Sequence, residues 1–299
     1  MSNQQSAIPA TEHGGSAKPG GGSNQPELDS KLRHVRHILA DYRRVIVAFS
    51  GGVDSTLLAK LARDILGREH ALAVTADSPS LAREDLEETK RLASALDLEH
   101  LVIDTHEVER SSYRANSPAR CYTCKHELFT ELDALAFARK IPAILYGAIG
   151  DDQLSERPGG RAALEFGVRA PLQEAGLAKR EVRELAHRMG LPNWDRPQNA
   201  CLSSRIPHGL EVTEDKLQQI EAAERFLREQ GFRQVRVRHL GGHARIEVDR
   251  EEVSRFDDET LRQRMASAFA RFGFSTVAVD QHGYRPGGAN QSPTHEILL

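Results

Sequence analysis

Apolar residues recur three or four apart from Leu28 onward, at Leu32, Val35, Ile38 and Leu39, and this spacing predicts a helix with a single apolar stripe. The uninterrupted run Val45-Ile46-Val47 follows and predicts a strand over 45–49. The alternation then continues with a helix over 53–66, a strand over 71–75, a helix over 82–96, a strand over 101–103, a helix over 124–139 and a strand over 143–146. Short apolar strands separated by amphipathic helices imply parallel pairing, because parallel strands need crossovers and are covered on both faces. The first half is therefore expected to be a doubly wound α/β domain with a mostly parallel sheet, its ligands gathered at the carboxyl ends of the strands.

Beyond a loop rich in Pro, Asn and Arg at 191–209 the rhythm changes. A helix over 214–230 precedes two alternating strands, 234–239 and 243–249, joined around Gly241-Gly242. A helix over 258–272 and a strand over 275–279 complete a smaller C-terminal α+β unit. The start of the chain, MSNQQSAIPATEHGGSAKPGGGSNQP, has almost nothing to bury and is expected to stay disordered. The expected division is a tail at 1–26, an α/β domain at 27–195, an α+β domain at 196–290 and a second tail at 291–299. No internal repeat is visible.

The net charge of -3 over 299 residues lacks the basic balance that favours bulk nucleic-acid binding, so no nucleic-acid partner is expected. No apolar stretch approaches the ~20 residues needed to span a bilayer. The first residues also lack a basic segment followed by an apolar one, and a cytoplasmic location is expected. In such a compartment Cys121, Cys124 and Cys201 would be thiols, metal ligands or redox groups rather than disulfide staples.

The stretch AFSGGVDSTLLAK (48–60) joins the first strand of the α/β unit to a helix. Ser50, Gly51 and Gly52 turn the chain so that free amides at the helix start face outward, which with the helix dipole makes an anion site. The competing reading is a plain helix cap, with Ser50 or Asp54 satisfying the orphan amides. The fuller string S-G-G-V-D-S resembles the PP-loop of the ATP pyrophosphatases, enzymes that cleave ATP between the α and β phosphates. That resemblance explains the missing loop lysine. It implies that Ser50, Gly51, Gly52, Ser55 and Thr56 hold the leaving pyrophosphate, with Asp54 orienting the loop or meeting Mg²⁺ through water. It further implies an adenosine site at Ala73–Ser80, including Ala76, and a nucleotide and metal site at Gly147–Asp152, with Asp151 and Asp152 as the Mg²⁺ candidates. Lys179 resembles a second phosphate lysine of that family; otherwise it is an exposed charge at a helix start.

Cys121-Tyr122-Thr123-Cys124 has a spacing that lets two thiolates reach one metal or cluster, or form a redox disulfide; buried structural thiols are the plainer alternative. Arg120, Lys125 and Arg205 are expected to lower the thiolate pKa values. In the second unit, period-two alternation puts Arg236 and Arg238 on the face opposite Val235 and Val237. That face is either a solvated sheet surface with cross-strand ion pairs or, with Ser204 and Arg205, a grip for the phosphate and carboxylates of a small mononucleotide. Glu247 is a candidate for a second metal, and His239 and His243 are expected as turn residues.

Taken together, TADSPSL, YRANSPARCYTCKHELF, GAIGDD, NACLSSRIPHG and GYRPGGAN resemble the LarE-type ATP-dependent sulfur transferases over roughly 28–290. The resemblance implies an enzyme that adenylates a carboxylate of pyridinium-3,5-biscarboxylic acid mononucleotide and converts it to a thiocarboxylate, on the route to the nickel-pincer cofactor of lactate racemase. It also implies ATP, Mg²⁺, a sulfide or other sulfur donor, and assembly as a homo-oligomer. Within that family the sulfur comes either from a sacrificial cysteine or from a [4Fe-4S] cluster on three cysteines. The presence of Cys121, Cys124 and Cys201 favours the cluster over zinc or a sacrificial Cys201, because three thiolates leave one iron open to carry sulfide. The rival readings are a tRNA-thiolating or amidating enzyme with the same loop, and a non-catalytic nucleotide sensor.

Overall fold

Strand β1 (Val45–Ala48) pairs in parallel on both sides, with β2 (Ala71–Asp77) and with β4 (Ala143–Tyr146). The computed structural model describes residues 25–152, 158–197, 200–285, 287–290 and 295–299. Most of the expected N-terminal tail lies outside them, as do Asn199 and Pro286 of the motifs above. With β3 (Glu99–Asp104) beyond β2, the first sheet has the order β3-β2-β1-β4 and is wholly parallel. The chain winds outward from β1 to β3 and then returns to the other side of β1. The crevice between the carboxyl ends of β1 and β4 is therefore the topological switch point, where open α/β sheets bind ligands.

Alternation within β1 sorts its side chains onto two cores. Val45 and Val47 face α1 (Gln25–Ala40), α2 (Val53–Leu66) and α8 (Lys179–Arg188), packing with Leu39, Leu57 and Leu185. Ile46 faces the opposite way, with Val74, Ile144 and Tyr146, onto Phe129 and Leu132. Those two belong to α5 (Arg120–Arg139), which starts earlier than the expected 124, so Cys121 and Cys124 both lie in its first turns. The remaining helices of this half are α3 (Arg83–Ala95), α4 (Ser111–Arg114), α6 (Pro158–Glu165) and α7 (Pro171–Glu174).

The second sheet has the order β5-β6-β7-β8. Strands β5 (Val235–His239) and β6 (His243–Val248) form an antiparallel hairpin, and β7 (Thr276–Asp280) runs parallel to β6 after a crossover through α10 (Glu259–Arg271). Gly241 and Gly242 turn the hairpin with φ of 73° and 102°, the left-handed region that favours glycine. Strand β8 (Glu296–Leu298) falls in the stretch expected as a tail; it closes the sheet by pairing Ile297 with Val279. Val235, Val237, Ile246 and Val248 pack with Leu227 of α9 (Glu214–Glu229) and Phe269 of α10. A fourth apolar cluster, including Tyr113, Leu202, Ile206 and Ile220, joins the two halves, with Cys124 packed against it.

Candidate active site

The chain leaves β1 through Phe49 and turns at Gly51, whose φ is 71°. Gly52 at the start of α2 has no side chain to cap it, and Ser50 Oγ accepts from Gly52 N at 3.5 Å. Ser50 and Ser55 also bond to each other at 3.2 Å, and Ser55 donates to Gly52 O at 3.0 Å, stiffening the loop from within. Asn193, which no sequence pattern marks, donates to Gly51 O at 2.8 Å and to Thr56 Oγ1 at 3.0 Å. Thr56 is consequently turned inward and fully buried.

The loop after β4 approaches this turn closely. A β-carbon on Gly147 would lie 2.8 Å from Ser55 N, so the close approach requires glycine there. Lys179 connects the two loops: its Nζ donates to both Asp54 oxygens at 2.6 and 2.8 Å, and its amide donates to Asp151 Oδ2 at 2.7 Å. Asp152 accepts from Ile149 N at 3.1 Å and lines the larger of two cavities that meet at the loop.

That larger cavity, about 540 Å³, is within the usual range for a small-ligand pocket. The loop residues Ser50, Gly52, Asp54 and Ser55 border it, as do Ala76 at the end of β2 and Gly147. Its far wall carries Cys121, Lys125 and Tyr146. Lys125 and Tyr146 carry no pattern of their own, although one adjoins the C-x-x-C pair and the other ends a strand. The smaller cavity, about 280 Å³, lies on the other side of the loop and is lined by Lys179, Arg183, Arg196 and Cys201.

Cys121 and Cys201 are exposed, while Cys124 between them is half-buried. Burial pushes the Cys124 thiol well above its ordinary range; Glu107, Cys201 and Cys121 add to this, and only Lys125 opposes it. At this cysteine burial outweighs the lowering by Lys125, and the other two expected cations have bonds of their own. Arg120 donates to Ser203 O at 2.9 Å, and Arg205 binds both Glu224 oxygens at 2.9 and 3.0 Å. Arg205 also donates to Cys201 O at 2.9 Å, fixing the backbone that carries this thiol. Among the described residues no three His, Cys, Asp or Glu side chains are grouped so as to hold a single metal ion.

The arginine face of the second sheet is buried, so neither an open cationic surface nor a solvated sheet face is present. Arg236 and Arg238 are only 7% and 4% exposed. Arg238 is paired with Glu247 at 2.6 Å and donates to Ser204 O at 3.2 Å. Glu247, the candidate for a second metal, is fully buried and ion-paired with Arg238 and Arg245. Arg236 stacks 5.4 Å from the Tyr284 ring, and burial together with Arg205 brings its pKa down to about 10. It faces a groove of about 340 Å³ shared with Arg196 and Arg228. Ser204 accepts from Arg205 at 3.0 Å. His239 is buried and bonded to Gln219 at 2.8 Å, while His243 is half-buried and bonded to Thr276 at 2.7 Å.

Residues 30–146 match the family model described as NAD synthase. The chain is 43% identical over 264 residues to an uncharacterized protein of Synechocystis sp., a match covering 88% of this chain and 98% of that one. It is 36% identical over 271 residues to the pyridinium-3,5-bisthiocarboxylic acid mononucleotide synthase of Lactiplantibacillus plantarum, covering 91% of this chain and 98% of that enzyme. A tRNA-specific 2-thiouridylase of Parvibaculum lavamentivorans is 31% identical over 211 residues, covering 57% of this chain and 51% of that enzyme.

Proposed function

The chain belongs to the LarE-type family of ATP-dependent sulfur transferases, and we propose that it adenylates a carboxylate of pyridinium-3,5-biscarboxylic acid mononucleotide and replaces it with a thiocarboxylate. The observation that carries this reading is the loop between β1 and α2, bordered by one cavity that reaches Cys121 and another that reaches Cys201. A nucleotide on the loop and a thiol-borne sulfur on either side of it then meet at one acyl carbon. The tRNA-thiolating alternative draws on relatives matched over little more than half of this chain.

In the first step a substrate carboxylate oxygen attacks the α-phosphorus of ATP, and the bond to the bridging oxygen breaks to release pyrophosphate. Free amides at the start of α2, the helix dipole and Lys179 receive the charge that develops on the leaving group. Asp151, which accepts from Lys179 N, and Asp152, which lines the larger cavity, would meet a Mg²⁺ through water. Activation is needed because a carboxylate repels nucleophiles and lacks a leaving group; the acyl adenylate carries AMP in that role. Sulfide then attacks the acyl carbon and AMP departs.

Cys121, Cys124 and Cys201 would hold the sulfur source. Both other thiols act electrostatically on Cys124, which supports reading the three as one set of soft donors. A [4Fe-4S] cluster on three thiolates would supply a sulfide at its fourth iron. The buried arginines around Glu247 support the floor beneath Ser204 and Arg205, and Arg236, which lines a groove together with Arg196, Arg228, Glu84, Asp85 and Glu88, would meet the substrate's anionic groups. A cytoplasmic, homo-oligomeric enzyme serving a nickel-pincer cofactor completes the proposal. The described residues include no helix long and apolar enough to cross a membrane.

The test is an anaerobic reaction with ATP, Mg²⁺, sulfide and the pyridinium substrate, following AMP, pyrophosphate and thiocarboxylate. Iron and acid-labile sulfide are measured on the same sample, with mass spectrometry at Cys201. Conversion of Cys201 to dehydroalanine in step with product would replace the cluster by the sacrificial route; absence of AMP would overturn the reaction itself.

A further inference from the structure

The larger cavity holds a polar group that the adenylation chemistry does not use. Tyr146, the last residue of β4, is 6% exposed, and among the described residues its hydroxyl has no hydrogen-bond partner. Buried hydroxyls are almost always paired, since withdrawing one from water without a partner is costly. The ring is held from two sides, by Phe129 edge-on at 5.9 Å and by Lys125 Nζ at 4.9 Å from its centroid. Burial, with a smaller contribution from Asp152, raises the phenol to about 12, so at neutral pH it keeps its proton and can donate.

The walls around it indicate which part of a nucleotide belongs there. Val74, Leu128 and Phe129 give this cavity an apolar side, while Lys179, Arg183 and Arg196 line the other cavity. Apolar walls suit a base and sugar; the cationic side suits phosphates. We propose that Tyr146 is a specificity residue for the nucleoside half of the nucleotide, its hydroxyl donating a hydrogen bond to the base or ribose in the β1–β4 crevice. The inference rests on the reading of the protein as an ATP-dependent enzyme.

Calorimetric titration of AMP and of pyrophosphate into the wild-type protein and into Tyr146→Phe tests it. AMP should bind about fivefold to tenfold more weakly to the variant, pyrophosphate equally well to both, and the free variant should melt at the same temperature or higher. Unchanged AMP affinity would show that water or another group serves the hydroxyl, and would overturn the inference alone. Equal weakening of AMP and pyrophosphate would overturn the assignment to the nucleoside. A lower melting temperature would show a partner within the free fold and overturn it too. If wild-type protein bound neither ligand, the nucleotide reading itself would fall and take the inference with it.

Discussion

Lys179 Nζ grips both carboxylate oxygens of Asp54 at 2.6 and 2.8 Å, joining the first helix after the phosphate loop to the start of α8. The pair is about one-third exposed on the lysine side, so incoming phosphate can compete for the ammonium while Asp54 turns toward a hydrated metal. Lys179→Ala should lower the rate of pyrophosphate formation by roughly 100-fold, the usual loss when one donor to a developing oxyanion is removed. Melting temperature should move little. A rate within a few-fold of wild type would remove Lys179 from the phosphate site.

Gly147 is the point of closest approach between the β4 loop and α2. In Gly147→Ala the new methyl meets backbone, at 2.8 Å from Ser55 N, and backbone in a helix start cannot step aside cheaply. The variant should lose about 1–3 kcal/mol of stability in urea titrations and bind nucleotide more weakly, because the displaced atoms are those of the phosphate loop. Loss of stability with unchanged nucleotide affinity would mean that the strain is absorbed on the β4 side.

The buried charge pair of Arg205 and Glu224 predicts a pH dependence. Burial alone would raise the Glu224 carboxyl, but the two bonds from Arg205 and one from Val237 N at 3.0 Å win, and it lies below its ordinary 4.5. The unfolded chain therefore binds this proton more readily than the folded one. Its contribution is present above about pH 4.5 and is lost as pH falls through the lower folded value. Glu224→Gln should cost about 3–5 kcal/mol at pH 7, since it leaves Arg205 buried without its counter-charge. The difference between variant and wild type should shrink in urea titrations carried toward acid; a constant difference would locate the pH dependence elsewhere.

The turn between β1 and α2 is legible in the sequence because everything it needs is local: an apolar run, two glycines and a helix with an outward amide end. The parallel, doubly wound character of the first sheet follows from the same rhythm, since parallel strands need helical crossovers. The arginine layer was legible only by half. Period two puts Arg236 and Arg238 opposite the valines, but it cannot say whether that face meets water. Here it is covered by Leu202–Arg205 and by Gly288, whose carbonyl accepts from Arg245 at 2.7 Å, and both covering segments are remote in sequence. Asn193 and Asn116 were invisible for the same reason. Asn116, with φ of 50°, donates to the carbonyls of Pro207 and Leu210 at 2.7 and 2.8 Å and so shapes the loop after Cys201 from ninety residues away.

The cysteines allow the two half-reactions to be separated. Cys201 stands on a loop pinned from below, with Tyr113 Oη 2.6 Å from Ser203 Oγ and Leu202 N donating to Ser80 O at 2.9 Å. None of those contacts involves the amide end of α2, the proposed pyrophosphate site. Cys201→Ala should therefore still release pyrophosphate in a single turnover at close to the wild-type rate, while thiocarboxylate formation disappears. Cys121→Ala should behave in the same way if all three thiols serve one sulfur carrier, and each variant should lose iron and acid-labile sulfide together. Lys179→Ala should instead slow both half-reactions, because nothing is activated for sulfur to attack. Retention of thiocarboxylate synthesis by Cys121→Ala but not by Cys201→Ala would break the three-thiol arrangement and leave Cys201 acting alone.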